Sequence, residues 1–221
     1  LEFSTAQIVA VSILPVLFAI TLHEVAHGWI ASLCGDQTAR LSGRLTLNPL
    51  KHIDLVGTII VPILLLVFTH FIFGWAKPVP IDARNMKNPR RDVAIVAAAG
   101  PVANLMMAFC WGLLARISFM AQDSSPWLAV PLVYMGEIGI YVNVILAVLN
   151  VLPLPPLDGG RIFTSLLPPK MAWQLSKIEP YMFIIIVILM ITGLLSHIIV
   201  PPVLFLTSWI TSLFGLPPLV G

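Results

Sequence analysis

His23 and His27 stand four residues apart, with Glu24 beside them, in an apolar run from Ile8 to Leu33. On a helix, residues four apart share one face, one turn above the other. Two imidazoles so placed can reach a single Zn²⁺, whose bonds to histidine nitrogen measure about 2.0–2.1 Å. A carboxylate next to them can take a proton from a metal-activated water. The chemistry on offer is metal-assisted hydrolysis. The plainer alternative is a polar cluster that joins neighbouring helices by hydrogen bonds. An ionisable group inside a bilayer costs about 2.5–3.5 kcal/mol on insertion scales, so such a cluster needs a compensating partner. A metal supplies one, and ordinary helix packing does not.

His23-Glu24-Val25-Ala26-His27 is an HExxH pattern, the pattern of zinc-dependent peptidases. It leaves the metal short of a third protein ligand. His52 lies in a basic loop, and His70 and His197 lie near the ends of apolar runs, positions that suit interfacial histidines. Asp158 stands just past a long apolar run, in Asn150-Val151-Leu152-Pro153-Leu154-Pro155-Pro156-Leu157-Asp158-Gly159-Gly160-Arg161. Alone, an Asp-Gly pair reads as a turn. The topology of the chain returns it to the list.

The chain has 221 residues, 58% hydrophobic and 10% charged, with a net charge of +2. A soluble domain carries about 25% charged residues, so this composition belongs in a membrane. The charge gives no argument for nucleic acid. The two cysteines, Cys34 and Cys110, are isolated and neither sits in a CxxC, which reads as free thiols. Length and even composition suit one membrane-embedded domain over residues 1–221. Leu1-Glu2-Phe3 carries no argument.

The apolar runs are Ile8–Leu33, Leu55–Phe73, Val93–Phe119, Trp127–Leu152, Tyr181–Val200 and a short final piece, Pro201–Leu213. The expected fold is all-α and polytopic, with five to six transmembrane or re-entrant segments. Leu41–Leu47 alternates apolar and polar residues, the period of a strand, and predicts a small strand-containing loop near the site. Lys and Arg concentrate in residues 34–54, 74–92 and 153–180. Placing all three loops in the cytoplasm puts the N-terminus outside. Leu55–Phe73 then has both ends inside and reads as re-entrant, bent near Gly57–Pro62. In this topology the first and fourth runs both travel inward. His23 and His27 fall in the cytoplasmic half, Asp158 arrives on the same side, and geometry permits the three as ligands. The glycines after Asp158 let backbone approach a metal site closely.

Four stretches together resemble the site-2 protease family of intramembrane metalloproteases: His23 to Gly28, Asn48 to Asp54, Ala99 to Asn104, and Asn150 to Gly160. They span residues 23 to 160, and the combination of HExxH with the later Leu-Asp-Gly-Gly is highly specific. The resemblance implies zinc held by His23, His27 and Asp158, with Glu24 as catalytic acid/base. It implies that Asn150 steadies the substrate or the oxyanion. It also implies transmembrane proteins as substrates, cut near the cytoplasmic face of a bacterial or archaeal plasma membrane. The chain resembles the short branch without PDZ or CBS domains.

Substrate helices must unwind before attack, and Leu41–Leu47 could hold the extended segment by edge pairing. Asn104 reads as an interhelical hydrogen-bonding group. Glu137 and Arg116 read as a pair with each other or as snorkelling groups. The rival function is a metal-ion transporter using the same His and Asp residues, which would need polar residues spread across several spans. A protease class with a glutamate as third ligand fits less well, because no later Glu is well placed. An inactive relative is disfavoured by the intact Glu24.

Overall fold

A computed structural model of the chain describes residues 4–61 and 76–217. Helix α1 spans Thr5–Cys34 and opens with a capping box, in which Ser4 and Gln7 satisfy each other's backbone N–H groups. At about 1.5 Å per residue it exceeds a hydrocarbon core about 30 Å thick. It ends at Gly35, whose φ of 114° stops the helix. A four-residue helix, α2 (Thr38–Leu41), follows.

Helices α3 (Pro89–Met120) and α4 (Pro126–Val151) form a long pair, and both pack on α1. Small residues such as Ala108 and Ala115 let the backbones approach, as membrane helix pairs require. A short helix, α5 (Asp158–Leu166), lies on α3. Then come α6 (Pro169–Ile191) and α7 (Leu194–Leu213), the latter packed on α4. Ala108, Ala115, Ile140, Val144, Val203 and Ile210 form the main apolar core between α3, α4 and α7.

Among the described residues four helices, α1, α3, α4 and α7, are long and apolar enough to cross a membrane. With α6 counted as one span, bent by 45°, there are five. This matches the polytopic all-α fold expected from composition. The boundaries of the last two helices differ from the sequence reading. Tyr181–Val200 is not one span: Gly193, at φ 73°, breaks it between α6 and α7. Apolar composition runs unchanged across that turn and hides it. Pro201 and Pro202, read as a boundary, lie inside α7. Membrane helices tolerate prolines where neighbours and local adjustments satisfy the freed backbone groups.

The strand expected over Leu41–Leu47 does not form, and no strand occurs among the described residues. Leu41 closes α2, and Gly43 turns the chain at φ 63°. The backbone bonds locally, with Gly43 N–H donating to Arg40 and Arg44 N–H to Ala39. Leu41 and Leu47 stay exposed, so the alternation serves no buried face. Edge pairing through this segment falls with it.

Of the run Leu55–Phe73, residues 55–61 are described; they begin with a π-helical stretch, Leu55–Ile60, where the Asp54 side chain accepts the Gly57 N–H. The re-entrant reading and His70 lie outside the described residues. Arg116 and Glu137 do not pair. Arg116 donates instead to the Gly215 carbonyl at 3.1 Å, in the turn that ends α7.

Candidate metal centre

His23 and His27 project from one face of α1, their rings edge to face with centroids 4.6 Å apart. Asp158, the first residue of α5, meets them from the far end of α4. Its Oδ2 lies 3.2 Å from each Nε2, and the two Nε2 atoms lie 3.0 Å apart. All three residues are buried, between 6% and 8% exposed. Among the described residues this is the one group of His, Cys, Asp and Glu side chains so convergent.

The proton positions follow from the partners on the outer side of each ring. His27 Nδ1 sits 2.7 Å from the Val96 carbonyl, which can only accept, so Nδ1 carries the hydrogen. His23 Nδ1 sits 2.6 Å from Asn104 Oδ1. The Asn104 amide is oriented because its nitrogen donates to the Ala19 carbonyl and to Asn143 Oδ1. Asn143 is oriented in turn by donating to the Gly139 carbonyl. With Nδ1 so engaged, each ring in its neutral form presents a bare Nε2 lone pair to a carboxylate oxygen that is buried and has no hydrogen-bond partner. Three inward acceptors with no donor among them fit a cation. The edges of a tetrahedron with bonds of about 2.0–2.1 Å measure about 3.3–3.4 Å, close to the separations here.

Two sets of glycines shape the site. A Cβ at Gly100 of α3 would lie 2.5 Å from His23 Cε1 and His27 Nε2. Gly100 thus lets α3 pass directly behind the imidazoles. Gly159 and Gly160 do something other than approach a metal. A Cβ at Gly159 would lie 2.1 Å from the Val151 carbonyl oxygen, and one at Gly160 2.3 Å from Pro155 N. They allow α5 to fold tightly onto the end of α4, which delivers Asp158.

Glu24 is half-buried, and its Oε2 accepts the Val79 N–H at 2.8 Å. Asn150 is not drawn into the cluster; its side-chain nitrogen donates to the Leu146 carbonyl one turn back, at 2.9 Å. His52 is buried and bonds the Thr46 carbonyl through Nε2, closing its own loop. His197 is exposed and bonds the Gly193 carbonyl. Neither belongs to the cluster.

Sequence reasoning passed over Asn143, Val96, Val79 and the place of Gly100. Asn143 could have been noticed as a polar residue in an apolar run. The groups Val96 and Val79 contribute are main-chain and leave no mark in the side-chain pattern.

Beside the site, Asp36 is fully covered. Burial works to raise its carboxyl, but hydrogen bonds from Asn85, Thr38 and the Asp82 N–H outweigh that and hold it below its ordinary value of 3.8. Half-buried Asp82 is lowered to about 2, chiefly by hydrogen bonds from Arg84.

The family model of peptidase family M50 matches residues 114–194, a stretch that includes Asp158. The protein named "Putative zinc metalloprotease YwhC" of Bacillus subtilis is 38% identical over 190 residues, covering 86% of this chain and 84% of that one. The chain belongs to peptidase family M50. This site-2 protease family member is thus a metallopeptidase and a multi-pass membrane protein. The M50 chain is also 31% identical over 181 residues to "Putative zinc metalloprotease Rip2" of Mycolicibacterium smegmatis. Its Mycobacterium tuberculosis namesake is 25% identical over 180 residues. The match covers 82% and 81% of this chain, and 66% of each Rip2 protein. No solved structure matches the M50 chain.

Proposed function

We propose that residues 1–221 act as one membrane-embedded zinc endopeptidase domain. Its substrates are other membrane proteins, cut in or near a transmembrane segment at the cytoplasmic face of a bacterial or archaeal plasma membrane. The observation that carries this reading is the convergence of two bare imidazole nitrogens and one partnerless carboxylate oxygen beside a glutamate. His23, His27 and Asp158 hold the metal. The relatives' names identify zinc, and the nitrogen and oxygen donor set suits it. When bound, Zn²⁺ polarises the scissile carbonyl and makes water acidic enough to attack near neutral pH.

The chain's own residues do the rest. Glu24 takes the proton of the attacking water and passes it to the leaving nitrogen, general base then general acid. Asn104 and the Val96 carbonyl keep both imidazoles in the tautomer that faces inward. Asn150 is the candidate donor to the developing oxyanion, a role that requires it to leave the Leu146 carbonyl. The fixed cluster, the single one among the described residues, favours a catalytic site over a transport path, which needs successive binding positions.

Metal analysis tests the ligand set. Purified wild type should carry one zinc per chain, and Asp158→Asn, which keeps the shape but loses the charge, should carry far less. Full zinc in Asp158→Asn would remove Asp158 from the site.

A further inference from the structure

Residues 77–82 run past Glu24 as an irregular strap tied down at Lys77, Pro78, Val79 and Asp82. The Lys77 N–H donates to the His52 carbonyl at 2.9 Å, and the Lys77 carbonyl accepts from Arg44 Nη2 at 2.8 Å. The same Nη2 reaches the Pro78 carbonyl at 3.4 Å. The Val79 N–H then meets Glu24 Oε2 at 2.8 Å, and the Asp82 N–H meets Asp36 Oδ2 at 2.7 Å. Val79 is 5% exposed and lies over Gly28, one helical turn beyond Glu24. A Cβ at Gly28 would stand 2.9 Å from Val79 Cγ1 and 2.6 Å from Leu45 Cδ2. The missing side chain therefore lets the strap rest on the face of α1 that bears the glutamate.

Pro78 and Pro80 have no N–H, so Val79 offers the one amide donor in this stretch of three. Among the described residues, no other group donates to the Glu24 carboxylate. One oxygen is thus held and the other is left to receive a proton. A general base works only when its accepting atom is fixed relative to the water it deprotonates, and a misplacement of 1 Å can cost about 100-fold in rate.

We propose that Arg44 is a positioning residue for the peptidase reaction: it anchors the Lys77–Val79 strap so that the Val79 N–H fixes the Glu24 carboxylate. The proposal rests on the zinc-endopeptidase reading above. Arg44 reaches both carbonyls through one nitrogen of a rigid planar guanidinium, a placement that a lysine ammonium on a flexible stem matches less well. It touches no reacting atom.

The test uses the full chain in detergent with a panel of single-span fusions, each a soluble reporter joined to one transmembrane segment. Metal-dependent cleavage by wild type, abolished by a chelator, comes first; its absence would count against the function, not against the strap. Val79→Pro removes the N–H, and its kcat should fall about 10- to 100-fold with KM and zinc content unchanged. Val79→Ala keeps the N–H and should exceed Val79→Pro at least about fivefold. Arg44→Ala should lose kcat in the same way, with Arg44→Lys in between. A second readout is independent of cleavage. Amide exchange at Val79 should be slow in wild type and at least about tenfold faster in Arg44→Ala and in Glu24→Ala. If Val79→Pro fails to load zinc, the Arg44 pair and the exchange rates decide. Unchanged kcat in Arg44→Ala, or unchanged exchange at Val79, would overturn the proposal.

Discussion

A histidine can ligate only through the ring nitrogen that its other partner leaves bare. Here that choice is made by residues distant in sequence: Val96 for His27, and the chain from Gly139 through Asn143 and Asn104 for His23. HExxH and Asp158 were legible in the sequence because ionisable side chains are conspicuous in an apolar run. The groups that orient them were not, since one is a backbone carbonyl and the asparagines look like helix glue. Asn104→Ala removes the acceptor that orients His23 and should weaken zinc binding by about 10- to 100-fold. Competition with a zinc chelator measures this, and undiminished affinity would deny Asn104 its part.

Elements show a different pattern of success. Long apolar runs announced α1, α3 and α4, because nothing in them competes with the helix. Leu41–Leu47 misled, since period-two alternation marks a strand only when a face is buried, and here Gly43 turns the chain toward solvent. Gly193 was equally silent, since a single left-handed residue suffices to break an apolar run of uniform composition. Gly159 and Gly160 were noticed for the wrong contact, and the close approach to residues 151–155 gives them a sharper test. Gly159→Ala would set a Cβ 2.1 Å from a backbone oxygen that cannot rotate away. It should displace α5, lower the Tm, and reduce zinc content through Asp158. Retained zinc with an unchanged Tm would contradict this role for Gly159.

The strap belongs to the same scale, and it carries a pH dependence. Asp36, which accepts the Asp82 N–H, has a folded pKa below its ordinary 3.8. A depressed carboxyl contributes stability above the unfolded value, and that contribution fades as pH falls through the folded one. Protection of the Asp82 amide should therefore hold at neutral pH and decline below about pH 4. In Asp36→Asn that acid-side decline should disappear, because the titrating group is gone. A decline that survives the substitution would assign it to another carboxylate.

On the scale of the whole molecule, the three basic loops meet. Arg44 of the first donates to Lys77 of the second, and Arg90 donates to the Ser165 and Leu167 carbonyls of the third. Their convergence at one end is what a common cytoplasmic placement of these loops requires. That end also holds Asp158 and the strap over Glu24, so the basic loops and the candidate metal centre lie at one end of the bundle.

The most direct measurement compares wild type with Glu24→Gln, each purified in detergent, for zinc content and for cleavage of single-span fusions. Equal zinc in the two proteins, with cleavage in wild type and none in Glu24→Gln, is the predicted result. Cleavage that survives in Glu24→Gln with zinc in place would contradict the account.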